Sequence, residues 1–322
     1  MARLIEVPDE VTAEVPASAA ACVSAIIPTY NRCELVQRAI DSVLVQTCPV
    51  DEIIVIDDGS TDGTGEALHA RYGDRIRYLW QTNAGVSAAR NAGMTIATGR
   101  YFALLDSDDY WRPEKTARQQ AWLDAHPDFG MVLCDVVRVD AACRPYDVFH
   151  RREVLREDGW ALRWLLLNPS LVPASTMFRR EVFETCGGFD PALRTAEDLD
   201  FHLRIARRWQ IGVIEEPLVE AMRGHEGGLS GGGTTYDDYV KVVERAVADA
   251  EGVVDESIRR AALFITYQRN ARGMLITRRW ADAWRLWRAA WRKASGSSER
   301  RALLALLPFA MKRLLSVMIG RG

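Results

Sequence analysis

Three carboxylates, Asp106, Asp108 and Asp109, fall within four residues directly after the apolar run Tyr101–Leu105. Carboxylates this close repel one another, and a cation among them removes that cost. Hard oxygen donors suit Mg²⁺ or Mn²⁺, which keep several waters and bridge to substrate phosphates. The competing reading is a solvated turn leading into a helix near Pro113. A second polar cluster, Asp57-Asp58-Gly59-Ser60-Thr61-Asp62-Gly63, follows Ile53–Ile56. A carboxylate there can accept a hydrogen bond from a nucleobase N–H or a ribose hydroxyl, while Asp62 or Thr61 can simply cap the next helix. The third cluster, Pro28-Thr29-Tyr30-Asn31-Arg32, carries an aromatic ring able to stack on a base or to serve a structural role.

These clusters need a scaffold that brings them together. Short apolar runs alternate with helix-like stretches through the first half of the chain. Strands are expected at Val23–Ile27, Glu52–Ile56, Arg75–Trp80 and Tyr101–Leu105, and helices at Glu34–Gln46 and Val86–Ala97. The pattern predicts a Rossmann-like, mostly parallel α/β sheet with helices on both faces. Ligands bind such sheets beyond the carboxyl ends of the strands, where all three clusters would converge. Further strands (Met131–Val139, Ser175–Phe178, Ile211–Glu215) and helices (Trp160–Leu167, Glu197–Trp209) continue the fold as the other wall of a cleft. Residues 224–233 hold six glycines in ten and read as a loop or hinge. From Tyr236 onward the chain looks helical. The expected organisation is a leader over 1–21, a catalytic domain over 22–225, a glycine-rich loop over 226–235 and a basic helical region over 236–322.

With 322 residues, 48% hydrophobic and 26% charged, the chain can bury a sizeable core without disulfides or a structural metal. None of the six cysteines forms a Cys-x-x-Cys pair, and reduced thiols in a cytosolic protein are expected. The N-terminal stretch has acids where a signal peptide needs a basic start and an apolar run. No Gly-x-Gly-x-x-Gly follows the first strand and no Walker-type run is present, which disfavours simple dinucleotide enzymes and P-loop phosphotransferases.

The ordered segments VSAIIPTYNR (23–32), DEIIVIDDGSTDGT (51–64), NAGVSAARNAG (83–93), YFALLDSDDYW (101–111) and EDLDFHLR (197–204) together resemble the family-2 glycosyltransferases of the GT-A fold. The resemblance implies roles residue by residue. Pro28 and Tyr30 match the base-contacting first motif, and Asp58, with Asp57 beside it, matches the carboxylate that recognises the base. Asn83 and Arg90 fall in the segment near the nucleotide and its phosphates. Asp106 and Asp108 match the DxD signature, Asp106 near ribose and metal and Asp108 on the metal that bridges the diphosphate. Asp198 matches the catalytic base, although Asp198 and Asp200 also suit the first turn of a helix by charge alone. His225, in RGHEGGLS (223–230), matches a late motif near metal or phosphate.

The implied function is inverting, Mn²⁺- or Mg²⁺-dependent transfer of a single sugar from a nucleotide-diphospho-sugar, UDP being the commonest in the family. The acceptor would be a hydroxyl on a lipid-linked or cell-surface glycan precursor. Processive members carry Gln-x-x-Arg-Trp; here Ile205 stands where the glutamine would precede Arg208-Trp209. The alternatives are a sugar-phosphate nucleotidyltransferase, which would want a glycine-rich basic loop after the first strand, and a non-catalytic nucleotide-sugar-binding protein.

Charge is unevenly spread. From Ser257 to Gly322 there are 15 Lys/Arg and two Asp/Glu, while the chain as a whole carries −3. The acidic remainder argues against nucleic acid as a partner, and the basic tail suits an anionic membrane surface. Trp280, Trp284, Trp287 and Trp291 share a helix face with arginines between them, a pattern that fits either packing on the protein or an interfacial helix. Ala302–Ile319 is apolar, but the adjacent Lys312 and Arg313 make it a poor membrane span. Peripheral attachment at the cytoplasmic face is the expectation.

Overall fold

The computed structural model describes residues 23–168, 172–223 and 235–306. The leader (1–21), His225 and most of the glycine-rich loop lie outside them.

Strand β1 (Val23–Thr29) is buried along its whole length, as a central strand covered on both faces must be. Its neighbours are β2 (Glu52–Asp57) and β4 (Tyr101–Leu104), both parallel to it, and β3 (Arg77–Trp80) extends the sheet parallel to β2. Alternation survives this double burial. Ile26, Ile54, Phe102 and Leu104 enter one core layer, while Ala25, Ile27, Val55 and Ala103 enter the other.

Helix α1 (Cys33–Leu44) places Val36, Ala39, Ile40 and Val43 on the second layer at helical spacing. Helices α2 (Thr64–Tyr72) and α3 (Val86–Ile96) link β2 to β3 and β3 to β4, on opposite faces. Gly93 lets α3 lie directly on β1, since a Cβ there would stand 2.5 Å from Ile26 Cγ2.

Past β4 the sheet becomes mixed. The short β5 (Tyr110–Trp111) and helix α4 (Lys115–Ala125) precede β6 (Phe129–Val139), which forms a hairpin with β7 (Pro145–Phe149). Helix α5 (Leu162–Leu167) leads to β8 (Thr176–Arg179), helix α6 (Arg180–Cys186), helix α7 (Glu197–Arg208) and the long β9 (Gln210–Met222). The strand order is β3-β2-β1-β4-β8-β6-β9-β5, with β7 on β6. Strand β8 is antiparallel to both β4 and β6, and β9 is parallel to β6. Strands β6 and β9 therefore run the same way as β1, and six strands point their carboxyl ends at one edge. Parallel pairing is the rule through β4 and for β6 with β9; β8, β5 and β7 are the antiparallel exceptions.

Helices α8 (Thr235–Asp249), α9 (Glu256–Ile276), α10 (Trp280–Lys293) and α11 (Ser297–Leu304) complete the described chain. Val242, Val243 and Val247 of α8 and Ala262 of α9 belong to the same apolar layer as β1 and β4. Met274 at the far end of α9 instead joins Ala283, Leu286 and Ala290 of α10 in a separate cluster. Among the described residues no helix is long and apolar enough to cross a membrane, and the five described cysteines are free thiols.

Candidate active site

The carboxyl ends of β1, β2 and β4 meet as the pairing register requires, with Thr29 opposite Asp57 and Ile26 opposite Leu104. A cleft of about 860 Å³ opens there, lined by Pro28, Tyr30, Asp58, Asn83, Gly85 and Ser107 among others. That volume suits a nucleotide-sized ligand. Tyr30 is 48% exposed at its mouth.

Local hydrogen bonds hold this side of the cleft. Asn31, in the left-handed region (φ 50°), donates its N–H to Ser60 Oγ at 2.8 Å and accepts the Thr61 N–H at 2.8 Å. Asp62 accepts the Cys33 N–H at 3.2 Å and the Thr64 hydroxyl and N–H, so one carboxylate serves the first turns of both α1 and α2. Asp58 is buried; it accepts Gln81 Nε2 (2.6 Å) and the backbone N–H groups of Ala84 (2.9 Å) and Gly85 (2.8 Å). It thereby fixes the turn that starts α3. Gly59 (φ 90°) permits the approach of Asn83, whose N would lie 2.9 Å from a Cβ at that position.

Asp57, expected beside the base, does not line the cleft. Its carboxylate accepts the Ser60 N–H at 2.7 Å and the Tyr78 hydroxyl at 2.7 Å, and it is completely buried. Burial and the Asp57 contact push the Tyr78 phenol upward, so the pair stays a neutral donor on a carboxylate. Asp57 thus secures the loop that carries Asp58.

Arg90, Asp106, Asp108 and Asp198 do not line that cleft either; they belong to a neighbouring region, the turn after β4 and the start of α7, that is built from charge. Arg90 is buried on α3 and donates to Asp106 (2.7 Å) and to Glu197 (2.9 Å), with the Phe189 ring 5.0 Å from its guanidinium carbon. Burial opposes the cation, yet Asp106 and Glu197 outweigh it and raise its pKa. This bridge ties the turn after β4 to the first turn of α7, bringing Asp106 and Asp198 within electrostatic reach of one another. Asp108 pairs with Arg32 at 3.0 Å. Asp109 is buried and accepts the Met222 N–H at 3.1 Å, while its Oδ2 has no hydrogen-bond partner. Burial, with Asp108 and Asp106 beside it, holds the Asp109 carboxyl well above the usual range.

Asp198 is half-buried in the first turn of α7. Ala196, at the N-cap, sits in the left-handed region (φ 60°) and offers no side-chain cap. The Asp198 Oδ1 instead accepts the Leu199 N–H at 2.7 Å. Burial and the adjacent Glu197 carboxylate push the Asp198 carboxyl up to about 7, against the pull of Arg90. A carboxylate poised there can take a proton near neutrality. Asp200, two residues on, is instead held by Arg204 and Arg245 and joins α7 to α8. His202, one turn beyond Asp198, is buried with neither ring nitrogen hydrogen-bonded. Burial and the cations Arg151, Arg90 and Arg204 lower its pKa to about 3, so it is neutral.

Three neighbouring carboxylates, Asp109 among them held up by burial and by Asp108 and Asp106 and keeping a buried unpaired oxygen, fit a hard divalent cation in charge and donor type. Asp106 and Asp108 would hold it. Among the described residues no three His, Cys, Asp or Glu side chains are arranged as a ligand set by themselves, and His225 lies outside those residues.

Sequence reasoning missed Arg32 on Asp108, Glu197 and Phe189 around Arg90, and Tyr239 of α8. Burial, and to a lesser degree the Asp198 carboxylate, push the Tyr239 phenol up to about 12. Charge balance is the signal that could have found Arg32 and Glu197; no local pattern marks Phe189 or Tyr239.

The Glycosyl transferase family 2 profile matches residues 24–187. An uncharacterized glycosyltransferase of Rickettsia bellii (strain RML369-C) is 45% identical over 189 residues, 58% of this chain and 27% of the relative. One from Rickettsia prowazekii (strain Madrid E) is 31% identical over 201 residues, 62% of this chain and 63% of the relative. The chain spans 34% and 63% of the length of two such relatives, from Rickettsia felis and Rickettsia prowazekii. Among solved structures, S. aureus TarS in complex with UDP-GlcNAc superposes with a TM-score of 0.64 at 19% identity, covering 91% of this chain and 81% of that one. The mannosyltransferase PcManGT from Pyrobaculum calidifontis, with GDP-Man and Mn²⁺, gives a TM-score of 0.56 at 22% identity, with 91% and 81% covered. These two share the fold.

Proposed function

Because the chain belongs to glycosyltransferase family 2, we propose that it moves a single sugar from a UDP-sugar to an acceptor hydroxyl with inversion at the anomeric carbon. The observation that carries this reading is the Asp106–Arg90–Glu197 bridge, which sets Asp198, with its raised pKa, against the acidic turn. The base stacks on Tyr30 at the cleft mouth, beside Pro28, with Asp58 and Asn83 on the facing wall. The α3 N-terminus favours the negative diphosphate. A divalent cation, when bound, would supply positive charge for the departing nucleoside diphosphate, and Asp106 and Asp108 would hold it. Asp198 removes the proton of the acceptor hydroxyl as that oxygen attacks opposite the leaving diphosphate. One displacement of this kind inverts the configuration.

Solved proteins of the same fold in complex with UDP-GlcNAc, and with GDP-Man and Mn²⁺, support nucleotide-sugar chemistry and a metal. The acceptor in this reading is a lipid-linked or cell-surface glycan precursor met at the cytoplasmic face of a membrane.

A thermal-shift series of UDP- and GDP-sugars, with and without Mn²⁺, tests donor and metal together, since a ligand of the folded state raises its apparent stability. A shift with UDP-sugars that grows with Mn²⁺ and vanishes in Asp108→Ala is expected. Equal shifts with and without the ion, or none with any nucleotide sugar, would refute the metal or the donor.

A further inference from the structure

Helix α10 divides its surface into three sectors. Ala283, Leu286 and Ala290 are buried against α9 and α11. Trp280, Trp284, Trp287 and Trp291 form a stripe centred about 100° around the helix from that face, at 3.6 residues per turn. Arg285, Arg288 and Arg292 follow about 100° farther on, all exposed. The tryptophans flank the buried face: Trp280, Trp287 and Trp291 pack against that cluster from its edge, and Trp284 does not. They stack on one another, Trp284 on Trp287 at 4.8 Å and Trp287 on Trp291 at 5.2 Å between ring centres.

Only part of this ladder is covered. Trp287 donates its indole N–H to the Leu303 carbonyl of α11 at 3.1 Å, and Arg300 lies over Trp291. Trp284 is 45% exposed, with Arg288 over its ring. The acids nearby are already engaged: Asp282 is held by Arg279, with Arg285 at 3.5 Å, and Glu299 by Arg260. The exposed flank is thus aromatic and cationic, in a segment with 15 Lys/Arg and two Asp/Glu.

We infer that the Trp284–Arg285–Arg288–Arg292 flank of α10 docks on an anionic lipid surface. Indole rings favour the boundary between head groups and acyl chains, and arginines beside them meet lipid phosphates. The packed sector keeps α10 fixed to α9, so the flank is presented rigidly. Met274 and Leu275 of α9 carry that attachment. The inference places the membrane-side acceptor of the proposed reaction, yet its test is independent of catalysis.

The test is co-sedimentation of the full chain with phosphatidylcholine vesicles and with vesicles that also contain phosphatidylglycerol. Binding to the anionic vesicles alone, weakened by salt, is expected. The triple variant Arg285→Glu/Arg288→Glu/Arg292→Glu should weaken it about a hundredfold or more. Trp284→Ala should weaken it about tenfold while leaving its salt dependence in place. Both variants alter exposed side chains, and unchanged circular dichroism and donor hydrolysis would show an intact fold and an intact reaction. Equal binding to both vesicle types, no binding, or a triple variant that binds like wild type would overturn the assignment. So would a wild-type dimer that the triple variant abolishes, which would give the face to a second copy of the chain.

Discussion

The cleft beside β1 and β2 and the acidic region next to it are held by different physics. On the side of β1 and β2, Asp57, Asp58 and Asp62 are each met by backbone or neutral side-chain donors. On the side of β4 and α7, Asp106, Asp108 and Glu197 are met by arginines, Asp109 keeps an unpaired oxygen, and Asp198 is pushed up to about 7. The cleft side is a receptor whose carboxylates are already satisfied, while the buried Thr29 hydroxyl is not. The acidic side stores electrostatic tension that a cation or a proton relieves. In the proposed reading, binding and chemistry fall to separate segments of one sheet edge.

Substitutions in the two regions should separate in the same way. Asp198→Asn removes the proton acceptor and should lower turnover about a thousandfold, while calorimetric titration finds donor affinity nearly unchanged. A comparable loss of donor affinity would break the division of labour. Arg90→Met leaves the buried Glu197 and the half-buried Asp106 without their cation and should cost about 3 kcal/mol or more in urea unfolding, with activity lost as well. On the cleft side, Tyr30→Ala should weaken donor affinity by about 1–2 kcal/mol through lost stacking and leave turnover at saturating donor nearly intact. Tyr78→Phe removes one hydrogen bond from buried Asp57 and should cost about 1 kcal/mol of stability, with donor affinity only slightly changed. His202→Leu is the smallest expected effect on turnover. Relief of two unsatisfied buried nitrogens should leave stability unchanged or raise it by about 1 kcal/mol.

How much of this was legible in the sequence follows the same divide. The convergence of Pro28–Arg32, Asp57–Thr61 and Asp106–Asp109 on one edge followed from apolar runs that each end in a polar cluster, because parallel strands leave no other arrangement. Which member of a pair faces the ligand was not legible. Asp57 and Asp58 are adjacent and chemically identical, and strand alternation sends one inward to Tyr78 and the other to the cleft. The mixed half of the sheet was harder to read: β5 has two residues and β7 is exposed at an edge, so neither carries a strong apolar signature. The Arg90–Glu197 bridge joins residues 107 positions apart, and no local pattern encodes such a contact. The tryptophan stripe of α10 was visible as a stripe, but only the packing of Ala283, Leu286 and Ala290 shows that it flanks the buried face.

The pH dependence of UDP-sugar turnover in wild type and Asp198→Asn tests the central claim most directly. Asp198 accepts a proton only when ionised, and its pKa is raised to about 7. Wild-type turnover should therefore be low in acid and rise to a plateau above that pH, while the residual rate of the variant loses this step. A wild-type rate that is flat across neutrality, or a variant that keeps both the step and the rate, would contradict the account.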